Sequence, residues 1–125
     1  MGKTNKKVLI VEDDKSFLWI IRQAFDAAGF AVFFGQDGQE GLKMVQEEKP
    51  DLILLDILIP KMDGIQVAQK LRQEGINTPI IFLTNMSDVD HMSQATEIAP
   101  SEYIIKADMP IDKIVARVKE KLGIK

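Results

Sequence analysis

Five polar residues interrupt apolar runs at matching places. Glu12 and Asp13 follow VLIV, Asp56 follows LILL, Thr84 follows IIFL, and Lys106 follows YII. Short apolar runs of this kind read as buried strands, and a buried carboxylate without a partner is costly. Asp56 stands in the middle of LILLDILIP, so it needs a compensating neighbour. If the fold gathers these groups, three carboxylates repel one another unless positive charge joins them. Lys106 supplies one such charge. A hard divalent cation held by oxygen ligands and water supplies the rest, and Mg²⁺ suits that donor set. The chemistry implied is that of a cation site with a hydroxyl and an ammonium beside it.

The elements that must position these groups are legible in the pattern. Val8 to Val11 is a strand. Residues 16 to 28 carry Phe17, Ile20, Ile21, Ala24 and Ala28 at helical spacing, and Gly29 stops that helix. Either Asp13 or Asp14 is placed to cap it. Ala31 to Phe34 is a second strand. Asp37 or Gln36 opens a second helix, which ends near Lys49-Pro50. Leu52 to Leu55 is the third strand, and Pro60 and Gly64 mark a loop. Ile65 to Glu74 is a third helix, with Val67, Ala68 and Leu71 as its apolar positions. Ile80 to Leu83 is a fourth strand. A weaker helix covers about 88 to 98. Tyr103 to Ile105 is the fifth strand. Ile111 to Leu122 is the last helix, with Ile114, Val115, Val118 and Leu122 facing inward.

Strand and helix thus alternate five times, which predicts an α/β fold with a parallel sheet covered by helices on both faces. In such open sheets ligands bind beyond the carboxyl ends of the strands, where the winding reverses. With strand order 2-1-3-4-5, the reversal falls between strands one and three. Glu12, Asp13 and Asp56 then converge there. Each polar group taken singly reads as a loop residue or a cap. Four strand ends carrying such groups together read as a site.

The chain as a whole sets few other constraints. Its 125 residues fit one domain, 1–125, with a core over about 6–123 and no output domain expected. Apolar residues make up 46% and charged residues 28%, an ordinary globular balance. With a formal charge of −3 nothing in the bulk electrostatics argues for nucleic acid or an anionic membrane, and neither is expected as a direct partner. Cysteine is absent, which excludes disulfides and thiolate metal sites and is compatible with a cytoplasmic location. The polar start does not read as a signal peptide, and the apolar runs are too short to span a bilayer.

These motifs together resemble the receiver domain of two-component response regulators. Glu12-Asp13 in VLIVEDD, Asp56 in LILLDILIPKMDG, Thr84 in IIFLTN and Lys106 in EYIIK stand in that family's order, and Pro60, Met62, Asp63 and Gly64 keep its spacing. The resemblance implies a flavodoxin-like, doubly wound (βα)5 fold. It implies that Asp56 accepts a phosphoryl group from a histidine kinase or a histidine phosphotransfer protein, with no further enzymatic activity. Asp13 would coordinate Mg²⁺, with Mn²⁺ as the alternative ion. Glu12 would help through water, and the backbone carbonyl of Leu58 would be a third protein ligand. Thr84 and Lys106 would contact the phosphoryl oxygens. Thr84 and Tyr103 would form the switch that changes the surface offered to a downstream protein target. A monomer or a phosphorylation-dependent dimer is compatible with the resemblance.

Some positions depart from the family pattern. Ala107 stands where proline is usual, so a trans peptide after Lys106 is the default. Asn85 replaces a commonly small residue, while Leu58 and Met86 flank the site where polar groups are common. Leu18 and Trp19 are expected on the outer face of the first helix, where that family docks its kinase. An exposed aromatic beside a catalytic edge is a suitable anchor. His91, the sole histidine, reads as a surface residue. The rival reading is a phosphorylation-independent, receiver-like binding module, suggested by Ala107 and Asn85. An aspartyl phosphatase would need a carboxylate at position 58, which is Leu58. A flavin domain would need a phosphate-binding loop where Glu12, Asp13 and Asp14 stand.

Overall fold

The computed structural model describes residues 4–85, 93, 97–98 and 101–124. The helix expected over about 88 to 98 falls outside these apart from Ser93, Glu97 and Ile98, as do Met86 and His91. Five strands form one sheet: β1 (Lys7–Val11), β2 (Ala31–Gly35), β3 (Leu52–Asp56), β4 (Ile80–Thr84) and β5 (Ser101–Ile105). All neighbours are parallel, and the order is β2-β1-β3-β4-β5. The winding therefore reverses between β1 and β3, as expected.

Strand side chains alternate between the two faces of the sheet, and each face has its own apolar layer. Leu9, Val11, Ile53, Leu55, Ile80 and Phe82 point to one side. There they meet Val45 of α2 (Gly38–Glu48) and Val67, Ala68 and Leu71 of α3 (Gly64–Gln73). Val8, Ile10, Leu52, Leu54, Ile81, Leu83 and Ile104 point to the other side. Their partners are Leu18, Ile21 and Phe25 of α1 (Lys15–Ala27) and Ile114, Val115 and Val118 of α4 (Ile111–Lys121). Each fully buried aliphatic side chain contributes roughly 1.5–3 kcal/mol, so these two layers dominate stability.

Three helices start on aspartate caps, while α4 follows Pro110 without a side-chain cap. Asp14 caps α1 by accepting from the amides of Ser16 and Phe17. Asp37 caps α2 by accepting from Glu40, and Asp63 forms a capping box with Gln66 at the start of α3. Gly29, with φ of 93°, follows α1 as expected for a helix stop.

The rotation of α1 differs from the sequence expectation. Leu18 is only 4% exposed and belongs to the core, whereas Ile20 is 50% exposed and Trp19 63% exposed. The buried stripe runs Leu18–Ile21–Phe25, with Phe17, Ala24 and Ala28 packed at its margins. An i, i+3, i+7 stripe anchored by the Phe25 ring places Ile20 on the outer side. Leu18 is therefore no docking residue, and the exposed pair on this helix is Trp19 and Ile20.

Candidate functional site

The site is built from the carboxyl ends of β1, β3, β4 and β5. In the sheet register Val11 lies beside Leu55, Asp56 beside Leu83, and Thr84 beside Ile105. Each polar residue leaves its strand at the same edge, so residues as far apart in the sequence as Glu12 and Lys106 become neighbours through strand order. Glu12, Asp56 and Thr84 are 1%, 6% and 3% exposed, while Asp13 reaches solvent.

Lys106 binds the cluster together. Its Nζ donates to Glu12 Oε1 and, at 3.1 Å, to Asp56 Oδ2. Its side chain is nearly as buried as those of its partners. The ring of Phe17 lies on another side of the ammonium, its centroid 4.5 Å from Nζ. The second oxygens are also engaged: Asp14 N–H donates to Glu12 Oε2 at 3.0 Å, and Leu58 N–H donates to Asp56 Oδ1 at 3.2 Å. Among the described residues no buried side-chain polar atom lacks a partner.

The loop after Asp56 is held close by glycine. A Cβ on Gly64 would lie 2.4 Å from the Asp56 carbonyl oxygen, and the Gly64 amide donates to Ile57 O at 2.8 Å. On the far side, Gly38 N–H donates to Pro60 O at 3.2 Å, and Lys61 Nζ lies 3.4 Å from Asp37 Oδ2. The loop that carries Leu58 is thus tied to β3 and to the start of α2.

Burial and the nearby Glu12 carboxylate raise the Asp56 pKa from 3.8 to about 7, although Lys106 opposes the shift. Burial works against the Lys106 charge, but hydrogen bonds and attraction from Glu12 and Asp56 outweigh it and raise the Lys106 pKa. One carboxylate oxygen from each of Glu12, Asp13 and Asp56 lies within 4.8 Å of the others. The donors are all oxygen, one of them solvent-facing, which fits a small hard cation that keeps part of its water.

The profile of the response regulator receiver domain matches residues 8–119. The chain belongs to the response regulator receiver domain family. The alkaline phosphatase synthesis transcriptional regulatory protein PhoP of Bacillus subtilis is 37% identical over 115 residues, which are 92% of this chain and 48% of that protein. The receiver domain of the Francisella response regulator 1452 superposes with a TM-score of 0.84 at 30% identity, covering 92% of this chain and 94% of that one. A CheY-like receiver domain protein of Methanospirillum hungatei superposes with a TM-score of 0.88 at 26% identity, covering 96% and 95%. This receiver chain spans about half the length of the curated relatives it matches. No helix among its described residues is long and apolar enough to cross a membrane.

Of the residues singled out in the sequence, the receiver fold brings Glu12, Asp13, Asp56 and Lys106 into one cluster, with Thr84 at the adjacent strand end. Tyr103 lies beside Phe82 in the register, two positions before the Thr84–Ile105 pair, and its side chain is 37% exposed. Leu58 contributes its amide to Asp56 and exposes its side chain. Phe17 and Asp14 were expected only as a core position and a helix cap. Their contacts with Lys106 and Glu12 have no sequence signal of their own.

Proposed function

We propose that this receiver domain is a phosphoacceptor whose nucleophile is Asp56 and whose reaction depends on Mg²⁺. The observation that supports this best is the convergence of Asp56 with Glu12, Asp13 and Lys106 at the reversal point of the sheet. A carboxylate oxygen of Asp56 attacks phosphorus, the bond to the donor's nitrogen or oxygen breaks, and the leaving group keeps that electron pair. Such transfer needs an in-line nucleophile and charge stabilisation on the moving oxygens more than covalent help. Lys106 stands ready to supply one charge, and the Thr84 hydroxyl lies on the adjacent strand end. Glu12 and Asp13, with Asp56 and the Leu58 carbonyl, would hold Mg²⁺, which when bound neutralises charge on the transferred group. Thr84 and Tyr103, two register positions apart on the adjacent strands β4 and β5, are the proposed switch. The added phosphoryl charge would bias their arrangement and so alter the surface seen by a downstream protein.

The partners in this reading are a histidine kinase or histidine phosphotransfer protein upstream and a protein target downstream, in the cytoplasm. Trp19, exposed one turn after Lys15 at the start of α1, is the proposed docking anchor for the phosphoryl donor. The test is intact-mass spectrometry after incubation with acetyl phosphate. One added phosphoryl group that requires both Mg²⁺ and Asp56, and is absent in Asp56→Asn, is the expected result. A folded, Mg²⁺-binding protein that gains nothing from acetyl phosphate or from any histidine-phosphorylated donor would overturn the reading in favour of a phosphorylation-independent binding module.

A further inference from the structure

Lys106 follows directly on β5, whose last residue, Ile105, pairs with Thr84. A single 3-10 turn, Lys106–Asp108, follows β5, and its first position has no side-chain cap. Ala107 puts no ring constraint on that backbone. The backbone fixes where the side chain starts, but the ammonium stands at the end of a flexible four-carbon stem and is placed by what it touches. Two of those contacts are the carboxylates of Glu12 and Asp56, and the third is the face of Phe17.

We propose that Phe17 is a positioning residue that seats the Lys106 ammonium over Asp56 for phosphoryl transfer. The inference rests on the phosphoacceptor reading above. The ring is well anchored for this task. Asp14 Oδ1 accepts from the Phe17 amide at 3.2 Å, and the Asp14 amide in turn donates to Glu12 Oε2. Residues 12 to 17 thus carry both a carboxylate and an aromatic face to the same ammonium. Phe17 also packs at the margin of the core layer formed by Leu18, Ile21 and Phe25, which limits its movement.

An aromatic face suits a lysine that must change partners. Hydrogen bonds to Glu12 and Asp56 demand direction, whereas attraction to a ring quadrupole varies slowly as the cation slides across it. Lys106 can exchange a carboxylate oxygen for a phosphoryl oxygen while keeping the ring contact. The ring also excludes water from one flank of the ammonium, which strengthens its pull on the oxygens that remain.

The test compares Phe17→Leu and Phe17→Tyr, each alone and combined with Lys106→Met. The first readout is the rate of Mg²⁺-dependent phosphoryl uptake from acetyl phosphate. Phe17→Leu should slow uptake about 5-fold, and Phe17→Tyr should stay within about 2-fold of the parent. In the Lys106→Met background Phe17→Leu should have no further effect. Equal slowing by Phe17→Leu with and without Lys106 would show that the ring merely packs α1 and would overturn the inference. The second readout needs no phosphorylation. Proton NMR of labelled lysine should show a Lys106 ε-methylene signal displaced by the Phe17 ring current, distinct from that of Lys7, whose Nζ lies 5.7 Å from the Phe33 centroid. That signal should vanish in Lys106→Met, persist in Phe17→Tyr and return to the ordinary position in Phe17→Leu. An undisplaced signal in the parent would also overturn the inference. A parent that accepts no phosphoryl group defeats the phosphoacceptor reading instead, and the NMR result still decides whether the ring holds the ammonium.

Discussion

Asp56 carries its charge against two opposing influences, burial and Glu12, with Lys106 working the other way. The net effect raises its pKa to about 7, so the native state holds this proton more tightly than the unfolded chain does. The sign of the pH dependence follows. Below about pH 4 both states are protonated and Asp56 contributes nothing to the slope; between about 4 and 7 its contribution becomes steadily unfavourable as pH rises. Replacing it with the neutral isostere should remove that penalty. In metal-free buffer near pH 8, Asp56→Asn is expected to melt about 3–6 °C above the parent. The gap should close as pH falls toward about 5. Circular-dichroism melts of both proteins across that range check it, and a gap that does not change with pH would contradict the assigned cause. Lys106 runs the other way: its raised pKa means that its favourable contribution is complete below its ordinary value of 10.5 and is lost only above that.

Elements matter here for how closely they approach and which way they face. At Gly64 the start of α3 lies against the end of β3, and an added Cβ would meet the Asp56 carbonyl oxygen and, at 2.9 Å, the Ile57 Cα. Both are main-chain atoms that cannot step aside cheaply. Gly64→Ala should therefore cost about 2–3 kcal/mol in urea unfolding, while an alanine on the exposed side of the same helix costs far less. The rotation of α1 has its own consequence. Leu18→Ala should lose about 2–5 kcal/mol, because it opens a cavity beneath the sheet. Trp19→Ala should change stability by less than about 0.5 kcal/mol and leave acetyl phosphate uptake unchanged, yet slow transfer from a phosphorylated donor protein. Equal stability losses at both positions would contradict the rotation described. The helix pattern alone allowed two rotations, because Phe17, Leu18, Ile20 and Ile21 are all large and apolar. Phe25 decides between them: it is fully buried in the same core layer as Leu18 and Ile21 and packs against the Phe30 ring.

Across the whole molecule, cation binding and folding are linked. An ion that joins Glu12, Asp13 and Asp56 only in the native state must stabilise it, by about 2.7 kcal/mol when free Mg²⁺ is 100 times its Kd. Melting temperature should accordingly rise with MgCl₂, and Asp13→Asn should lose most of that rise; a midpoint indifferent to Mg²⁺ in the parent would contradict a native cation site. Surface charge plays a smaller part. Arg117 and Lys121 of α4 each reach Glu102 at 3.2 Å, and partly exposed pairs of this sort contribute little. Much of the architecture was present in one dimension. Apolar runs marked five strands, of which β1, β3 and β4 are buried on both faces while the edge strands β2 and β5 are partly exposed. Aspartates and glycines marked helix ends, and polar residues at four strand ends marked one edge as the site. Those signals are local, since hydrophobic period and capping depend only on near neighbours. The long-range contacts are of another kind. That Lys106 bridges Glu12 and Asp56, that Phe17 covers the ammonium, and that Leu18 turns inward depend on how strands are ordered and how a helix is rotated against them. Glu12 and Lys106 are 94 residues apart, and no periodicity along the chain encodes which atoms meet across that distance. Packing of the two core layers brings them together, so only the tertiary structure decides those contacts.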